Sequence, residues 1–238
     1  MGGDGFTIER KKMDKEKKNY QQTVGFWDEI FEKTEDTFEF ENELPIKEIE
    51  ECLDWLVDEK SSIIDFGCGN GKLLLRCAAK GAERGVGIDI SSEGIKKGVK
   101  FAEINGLAGD FNFIADGPDS LSDFEENEFD GGILSNIIDN LLPEDSRKVL
   151  EEFHRIIKPN GKIFLKVNDY VDPVQMEEWD AEKIEENLYK EKEGLYLWNL
   201  KDEEVRNILK DHFKIVKRVD IEFEEEGQIN RLYYLENL

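Results

Sequence analysis

Apolar residues in this chain alternate between two patterns. Ser61 to Phe66, Gly85 to Asp89, Phe111 to Ala115, Phe129 to Leu134 and Ile163 to Val167 are short apolar runs, the signature of strands buried on both faces of a parallel sheet. Between them, apolar positions recur every three or four residues. Asn70 to Lys80 and Ser91 to Asn105 read as crossover helices, the second with Ser91 and Ser92 as N-cap candidates. Pro143 opens a third helix, whose inward face is Val149, Leu150, Phe153, Ile156 and Ile157. Strands alternating with helices predict an α/β fold, a doubly wound, mostly parallel sheet with helices on both faces.

The flanks read differently. Tyr20, Val24, Trp27 and Phe31 recur at helical spacing, broadened by Phe26 and Ile30, and Pro45 opens a second amphipathic segment with Ile46, Ile49, Leu53 and Leu56 inward. Residues 168–199 are rich in Glu, Lys, Trp and Tyr and contain Pro173, and are expected to form an inserted helical or irregular cap. Lys201 to Lys210 is a last helix and Phe213 to Val219 a sixth strand. Alternation in Asp220 to Glu224, a turn around Gly227 and the run Arg231 to Leu235 predict a C-terminal antiparallel hairpin that completes seven strands. The organisation expected is a 1–60 tail with helices able to act as a lid, then a 61–238 domain with its insertion at about 168–199.

The densest chemistry is in Ile63 to Gly71. A strand stops at Asp65 and breaks into Gly67, Gly69 and Gly71, which permit positive φ and close approach of backbone N–H groups to a ligand. The helix expected to start near Asn70 would aim its N-terminal amides at the same place. A dinucleotide fingerprint counted from Gly67 and Gly69 needs glycine where Lys72 stands, and a P-loop needs a hydroxyl where Leu73 stands. Both patterns fail.

Asp65-Phe66-Gly67-Cys68-Gly69-Asn70-Gly71 resembles the first motif of class I S-adenosylmethionine-dependent methyltransferases. The later segments arrive in the matching order. Asp89 ends the second strand at the place of a ribose-clamping carboxylate. Asp116, after the third strand, is implied by the resemblance to meet the adenine amino group. Lys158-Pro159-Asn160-Gly161-Lys162 resembles the family's helix-to-strand turn, with Asn160 at the usual first glycine, a residue that tolerates the left-handed conformation. The resemblance spans 61–167 firmly. It implies S-adenosylmethionine as cofactor and Asp65, Gly67, Cys68, Gly69, Asp89, Ile90, Asp116, Gly117 and Ser135 as its contacts.

Charge narrows the acceptor. The 238 residues carry 56 acidic and 32 basic side chains, a formal net charge of -24. A nucleic-acid methylase needs basic surface to neutralise phosphates, and the only basic tract is Arg10 to Lys18, beside an expected disordered start at Met1 to Gly5. Ser135-Asn136-Ile137-Ile138, leaving the fourth strand, also lacks the Asn/Asp-Pro-Pro-Tyr pattern of methylases of base and glutamine amino groups. A small-molecule acceptor is therefore expected, and a nucleic acid is disfavoured. Cys52, Cys68 and Cys77 make an odd count without metal-ligand spacing. Neither a signal-peptide core nor a membrane-length apolar stretch stands out, so the chain is expected to be cytoplasmic and not membrane-bound.

No catalytic residue is assigned. Methyl transfer depends mostly on in-line positioning, and a general base is needed only when the nucleophile arrives protonated. His154 and His212 fall away from the carboxyl ends of the strands; Asp139 and Asp169 follow strand ends but suit turns equally well. Asp139, Asn168 and Asp169 are oxygen donors of the kind magnesium accepts, in a spacing that predicts no metal. A non-catalytic cofactor-binding scaffold, a nicotinamide oxidoreductase and an aminopropyltransferase remain as other readings.

Overall fold

The computed structural model describes residues 20–223 and 228–238. The Arg10 to Lys18 tract, the Met1 to Gly5 start, the Glu224-Glu225-Glu226 cluster and the turn around Gly227 lie outside the described residues. Seven strands form one sheet: β1 (Ser62–Phe66), β2 (Arg84–Asp89), β3 (Phe111–Ala115), β4 (Phe129–Ser135), β5 (Ile157–Asn168) and, after the insertion, β9 (Phe213–Phe223) and β10 (Gln228–Asn237). Their order is β3-β2-β1-β4-β5-β10-β9. The first five pair in parallel, and β10 runs antiparallel to both β5 and β9. The order reverses between β1 and β4, the switch point outside which ligands bind in such sheets.

Alternating side chains feed two cores. Ile64, Phe66, Leu134, Leu165 and Tyr233 face α5 (Pro143–Ile156) and α7 (Asp202–Leu209). Ile63, Ile133, Phe164, Leu232 and Tyr234 face α2 (Lys47–Leu56), α3 (Lys72–Ala79) and α4 (Ser92–Ile104). Full burial on both faces explains why these strands carry β-branched and aromatic residues without polar alternation. The leading helix, α1 (Gln21–Glu32), packs against α4 near the carboxyl ends of the strands. Beneath the sheet, Glu50 of α2 pairs with Arg76 (2.9 Å) and Lys80 (2.7 Å) of α3 and its C-cap.

Three expectations change. The fifth strand begins at Ile157 rather than Ile163, taking in the 158–161 turn; its pairing with β4 shifts between Phe129 and Gly131, and Asn160 is left-handed at φ 62°. The sixth strand and the alternating segment after it are one strand, β9. The insertion is not irregular: α6 (Pro173–Glu178) precedes a separate antiparallel sheet of β6 (Glu182–Lys183), β7 (Leu188–Lys190) and β8 (Tyr196–Trp198), in the order β6-β7-β8. Arg231, 2% exposed, ties both ends of this insertion to the sheet, donating to the carbonyls of Asn168 (2.6 Å) and Leu200 (2.7 Å).

Candidate functional site

The glycine loop follows β1 at the carboxyl edge of the sheet. Gly67, Gly69 and Gly71 all have positive φ (74°, 55° and 75°), and this curls the loop back on itself. Its amides are consumed internally. Gly67 and Cys68 donate to the Ile88 carbonyl at 2.8 and 3.0 Å, Gly71 to the Cys68 carbonyl at 2.9 Å, and Gly69 to Asp89 Oδ2 at 2.7 Å. The expected cradle of free N–H groups is thus absent at these four positions, because the left-handed turns aim them at β2 and at the loop itself. A pyrophosphate would find these donors occupied. What the glycines supply instead is room: a Cβ on Gly67 would stand 2.9 Å from the Ile137 side chain, and one on Gly69 2.7 Å from Phe31 Cζ.

Asp89 is fixed by two backbone donors, Gly69 N–H to Oδ2 (2.7 Å) and Ser91 N–H to Oδ1 (2.8 Å). A carboxylate has about four acceptor positions, so roughly half its capacity remains for ligand hydroxyls. Burial raises its pKa against the pull of those two hydrogen bonds. Beneath the loop, Asp65 is 1% exposed and neither carboxyl oxygen has a hydrogen-bond partner. Burial, with the nearby charge of Asp89, holds its pKa well above the carboxylate range. Cys68 is likewise pushed up by burial, which leaves an unreactive thiol at neutral pH. Asp116 is exposed and accepts the Gly117 N–H at 2.8 Å, while its own N–H donates to the Asp89 carbonyl at 3.0 Å. Ile90 and Ser135 are half-buried at the carboxyl ends of β2 and β4.

Helix α1 packs on this edge through Phe31 of the aromatic stripe and through Asp28, which local patterning did not single out. Asp28 Oδ1 accepts the Ser91 hydroxyl (2.6 Å) and the Glu93 N–H (3.1 Å), while Ser91 Oγ caps α4 by accepting the Gly94 N–H (3.0 Å). Phe31 lies over Gly69 and Gly94 and stacks on Trp27, with centroids 5.8 Å apart. Tyr20 is not at the loop. It is buried in the core, donating to Asp145 Oδ2 at 2.6 Å and accepting the Leu142 N–H at 2.9 Å. An unpaired acid on the stripe side of an aromatic helix was the available signal for Asp28.

A second polar group occupies the ends of β4 and β5. Asn136, left-handed at φ 52°, donates its Nδ2 to Asn168 Oδ1 (2.9 Å), and Asn168 donates its N–H (2.7 Å) and Nδ2 (2.9 Å) to Asp139 Oδ2. Burial pushes Asp139 up to about 6. The histidines lie elsewhere, their rings tilted against each other with centroids 4.8 Å apart, and His154 Nδ1 is 2.8 Å from Asn237 Oδ1. Among the described residues, no group of three or more His, Cys, Asp or Glu is arranged to hold a metal ion, and no helix is long and apolar enough to cross a membrane. A surface cavity of about 660 Å³, bordered by Arg147, Trp198 and Glu203, lies on the α5–α7 side, away from the loop.

Glycine loop, β2 carboxylate and strand order coincide with a family match: the family described as methyltransferase domain covers residues 63–161. Over those residues the chain matches a methyltransferase domain. A methyltransferase-type relative, the ribosomal protein L11 methyltransferase of Vibrio campbellii, is 30% identical over 47% of this chain and 36% of its own length. The chain thus spans about a third of that relative. The tRNA N(3)-methylcytidine methyltransferase trm140 of Schizosaccharomyces pombe is 24% identical over 81% of this chain and 64% of its own. The same fold is found in the Burkholderia thailandensis 1,6-didemethyltoxoflavin-N1-methyltransferase, solved with its acceptor and S-adenosylhomocysteine, at TM-score 0.62 and 16% identity over 81% of this chain and 79% of that one.

Proposed function

We propose that this methyltransferase domain binds S-adenosylmethionine and transfers its methyl group to a small-molecule acceptor. The observation that carries the reading is Asp89, a carboxylate held rigid at the carboxyl end of β2 with acceptor capacity left over, beside a loop whose internal hydrogen bonds suit a ligand without phosphates. The residues fit such a cofactor. Asp89 would take the ribose hydroxyls, Asp116 the adenine amino group, and Asp65, Gly67, Cys68, Gly69, Ile90, Gly117 and Ser135 the remaining contacts. The orphaned carboxyl of Asp65, whose pKa burial raises while it stands alone, suits a ligand's ammonium, whose charge would draw that pKa down again. When bound, the cofactor supplies an electrophilic methyl on a sulfonium. The chain's part is to orient, to exclude water and to accept a proton where the acceptor brings one.

Two observations favour a small acceptor. The net charge of -24 opposes a phosphate backbone, and the toxoflavin-type neighbour acts on a compact heterocycle. Helix α1, with residues 20–60, is the lid in this reading, and the 168–199 insertion borders the acceptor. Calorimetry with S-adenosylhomocysteine and NAD, followed by an acceptor screen that counts S-adenosylhomocysteine formed, tests the proposal. NAD binding would overturn it. Cofactor binding without turnover of any acceptor would leave a sensing scaffold, and turnover confined to ribosomal protein or tRNA would replace the small molecule.

A further inference from the structure

Drawing an ammonium even partly out of water is costly unless an acceptor compensates. Lys166 is half-buried and has no such acceptor. It sits near the end of β5, paired in register with Ser135 of β4 and Leu232 of β10, on the sheet face of Phe164. Burial lowers its pKa, opposed by the charge of Asp139, yet it makes no hydrogen bond or ion pair among the described residues. Its strand neighbours are incomplete in the opposite sense. Asp139 Oδ1 and Asn136 Oδ1 are buried acceptors without a donor, on side chains linked through Asn168. An unmatched cation and two unmatched acceptors thus lie at one edge, without closing on each other.

We infer that Lys166, Asp139 and Asn136 form the acceptor subsite and select a compact group that presents an N–H beside a carbonyl oxygen, as in a lactam, imide or ureido ring. This inference rests on the methyltransferase reading above. The two kinds of orphan specify the ligand: the carbonyl oxygen takes the Lys166 ammonium, and the N–H donates to Asp139 Oδ1, with Asn136 Oδ1 available to a neighbouring N–H. A plain carboxylate or phosphate leaves Asp139 repelled. A plain ammonium leaves Lys166 repelled and has no lone pair with which to attack. In the transfer, the N–H bond breaks with its proton passing to Asp139, an N–C bond forms to the methyl group, and the C–S pair stays with sulfur. Charge that builds on the carbonyl oxygen as the proton leaves is met by Lys166.

The test uses the full chain saturated with S-adenosylhomocysteine and reads binding directly by NMR. Uracil, succinimide and 2-pyridone are titrated beside N-methylsuccinimide, benzoate and benzylamine, and the same compounds are assayed with S-adenosylmethionine for methylated product. Expected are saturable shifts with the first three alone, weakened about tenfold or more in Lys166→Met and in Asp139→Asn, a change equivalent to one lost hydrogen bond to a charged group. The binding of S-adenosylhomocysteine should stay within about twofold in both variants, and melting temperatures identify a variant that fails to fold. Preference for benzoate or benzylamine, indifference to either substitution, or no binding by any of the three N–H compounds overturns the acceptor assignment. Loss of S-adenosylhomocysteine binding by the unmodified chain overturns the reading beneath it.

Discussion

A Cβ added to Gly69 would lie 2.7 Å from Cζ of Phe31, so the ring of one residue rests on the absence of a side chain at the other. Helix and loop are in van der Waals contact at the place assigned to the cofactor. Under the proposed placement, entry displaces Phe31, and closure can be timed. Phe31→Ala is expected to speed dissociation of S-adenosylhomocysteine about tenfold while leaving association nearly unchanged, since affinity changes within one interface fall mainly on the off-rate. Stopped-flow fluorescence, with Trp27 stacked on Phe31 as reporter, checks this. An unaltered off-rate would remove α1 from the binding cycle.

Gly69→Ala should be more severe than Phe31→Ala. It adds the contact with Phe31 and places a side chain at φ 55°, a left-handed conformation that costs a non-glycine residue roughly 1 to 2 kcal/mol. The double variant Gly69→Ala/Phe31→Ala recovers only the steric part. Calorimetry on the three variants separates clash from backbone strain.

Asp89→Ala is expected to weaken S-adenosylhomocysteine by about 1 to 3 kcal/mol, the cost of leaving ribose hydroxyls without an acceptor. Because Asp89 also holds Gly69 N–H and Ser91 N–H, Asp89→Asn is the cleaner probe. The two bonds use different carboxylate oxygens, so asparagine keeps one of them, where alanine loses both, and gives up the charge. Binding as tight as in the parent for both variants would misplace the ribose.

The Glu50 ion-pair network sets an acid limit. Burial alone would raise the pKa of Glu50, but hydrogen bonds from Arg76 and Lys80, together with the Leu44 N–H at 2.8 Å, hold it down at about 2 against an ordinary 4.5. The folded value lies below the unfolded one. The stability it confers is therefore complete above about pH 4.5 and is lost as pH falls toward 2. Urea titrations should show Glu50→Gln destabilised by about 3 kcal/mol at pH 7, with a flatter acid limb, since removing one partner strands the buried cations.

Arg231→Met should loosen the insertion more than the sheet. The guanidinium joins the Asn168 and Leu200 carbonyls across the insertion, and it lies 3.3 Å from Asp169 Oδ1. About 3 kcal/mol is expected from its loss, with hydrogen exchange rising first in residues 168–200. Uniform destabilisation would deny the insertion any independence.

The sheet was legible in the sequence because strands buried on both faces cannot carry charge without a reason, and five of them leave short apolar runs. The insertion was not. Its strands, Glu182–Lys183, Leu188–Lys190 and Tyr196–Trp198, are too short for a period of two to register. Its aromatics serve mainly as packing: Tyr189 and Trp198 are buried, Trp198 in the main core beneath Arg147, while Trp179 is largely exposed. The glycine loop, the succession of strands and helices along the chain and the place of Asp89 after the second strand followed from local spacing. Asp28 did not, since its partners Ser91 and Glu93 lie 63 and 65 residues away in sequence. Lys166 and Arg231 left a fainter trace: each is a lone cation within an apolar run, at positions in phase with Phe164 and Tyr233.

The internal hydrogen bonds of the glycine loop have a thermodynamic consequence. With the amides of Gly67, Cys68, Gly69 and Gly71 already paired, the loop has its final shape before any ligand arrives and gives up little freedom on binding. On the proposed lid reading, the entropy lost on capture falls on α1, which parts from Gly69 and returns. Exchange of the four loop amides with deuterated solvent should be slow in both states, whereas the slowing brought by ligand appears across Gln21–Glu32. Selection for faster turnover would thus act on the helix and leave the loop sequence unchanged.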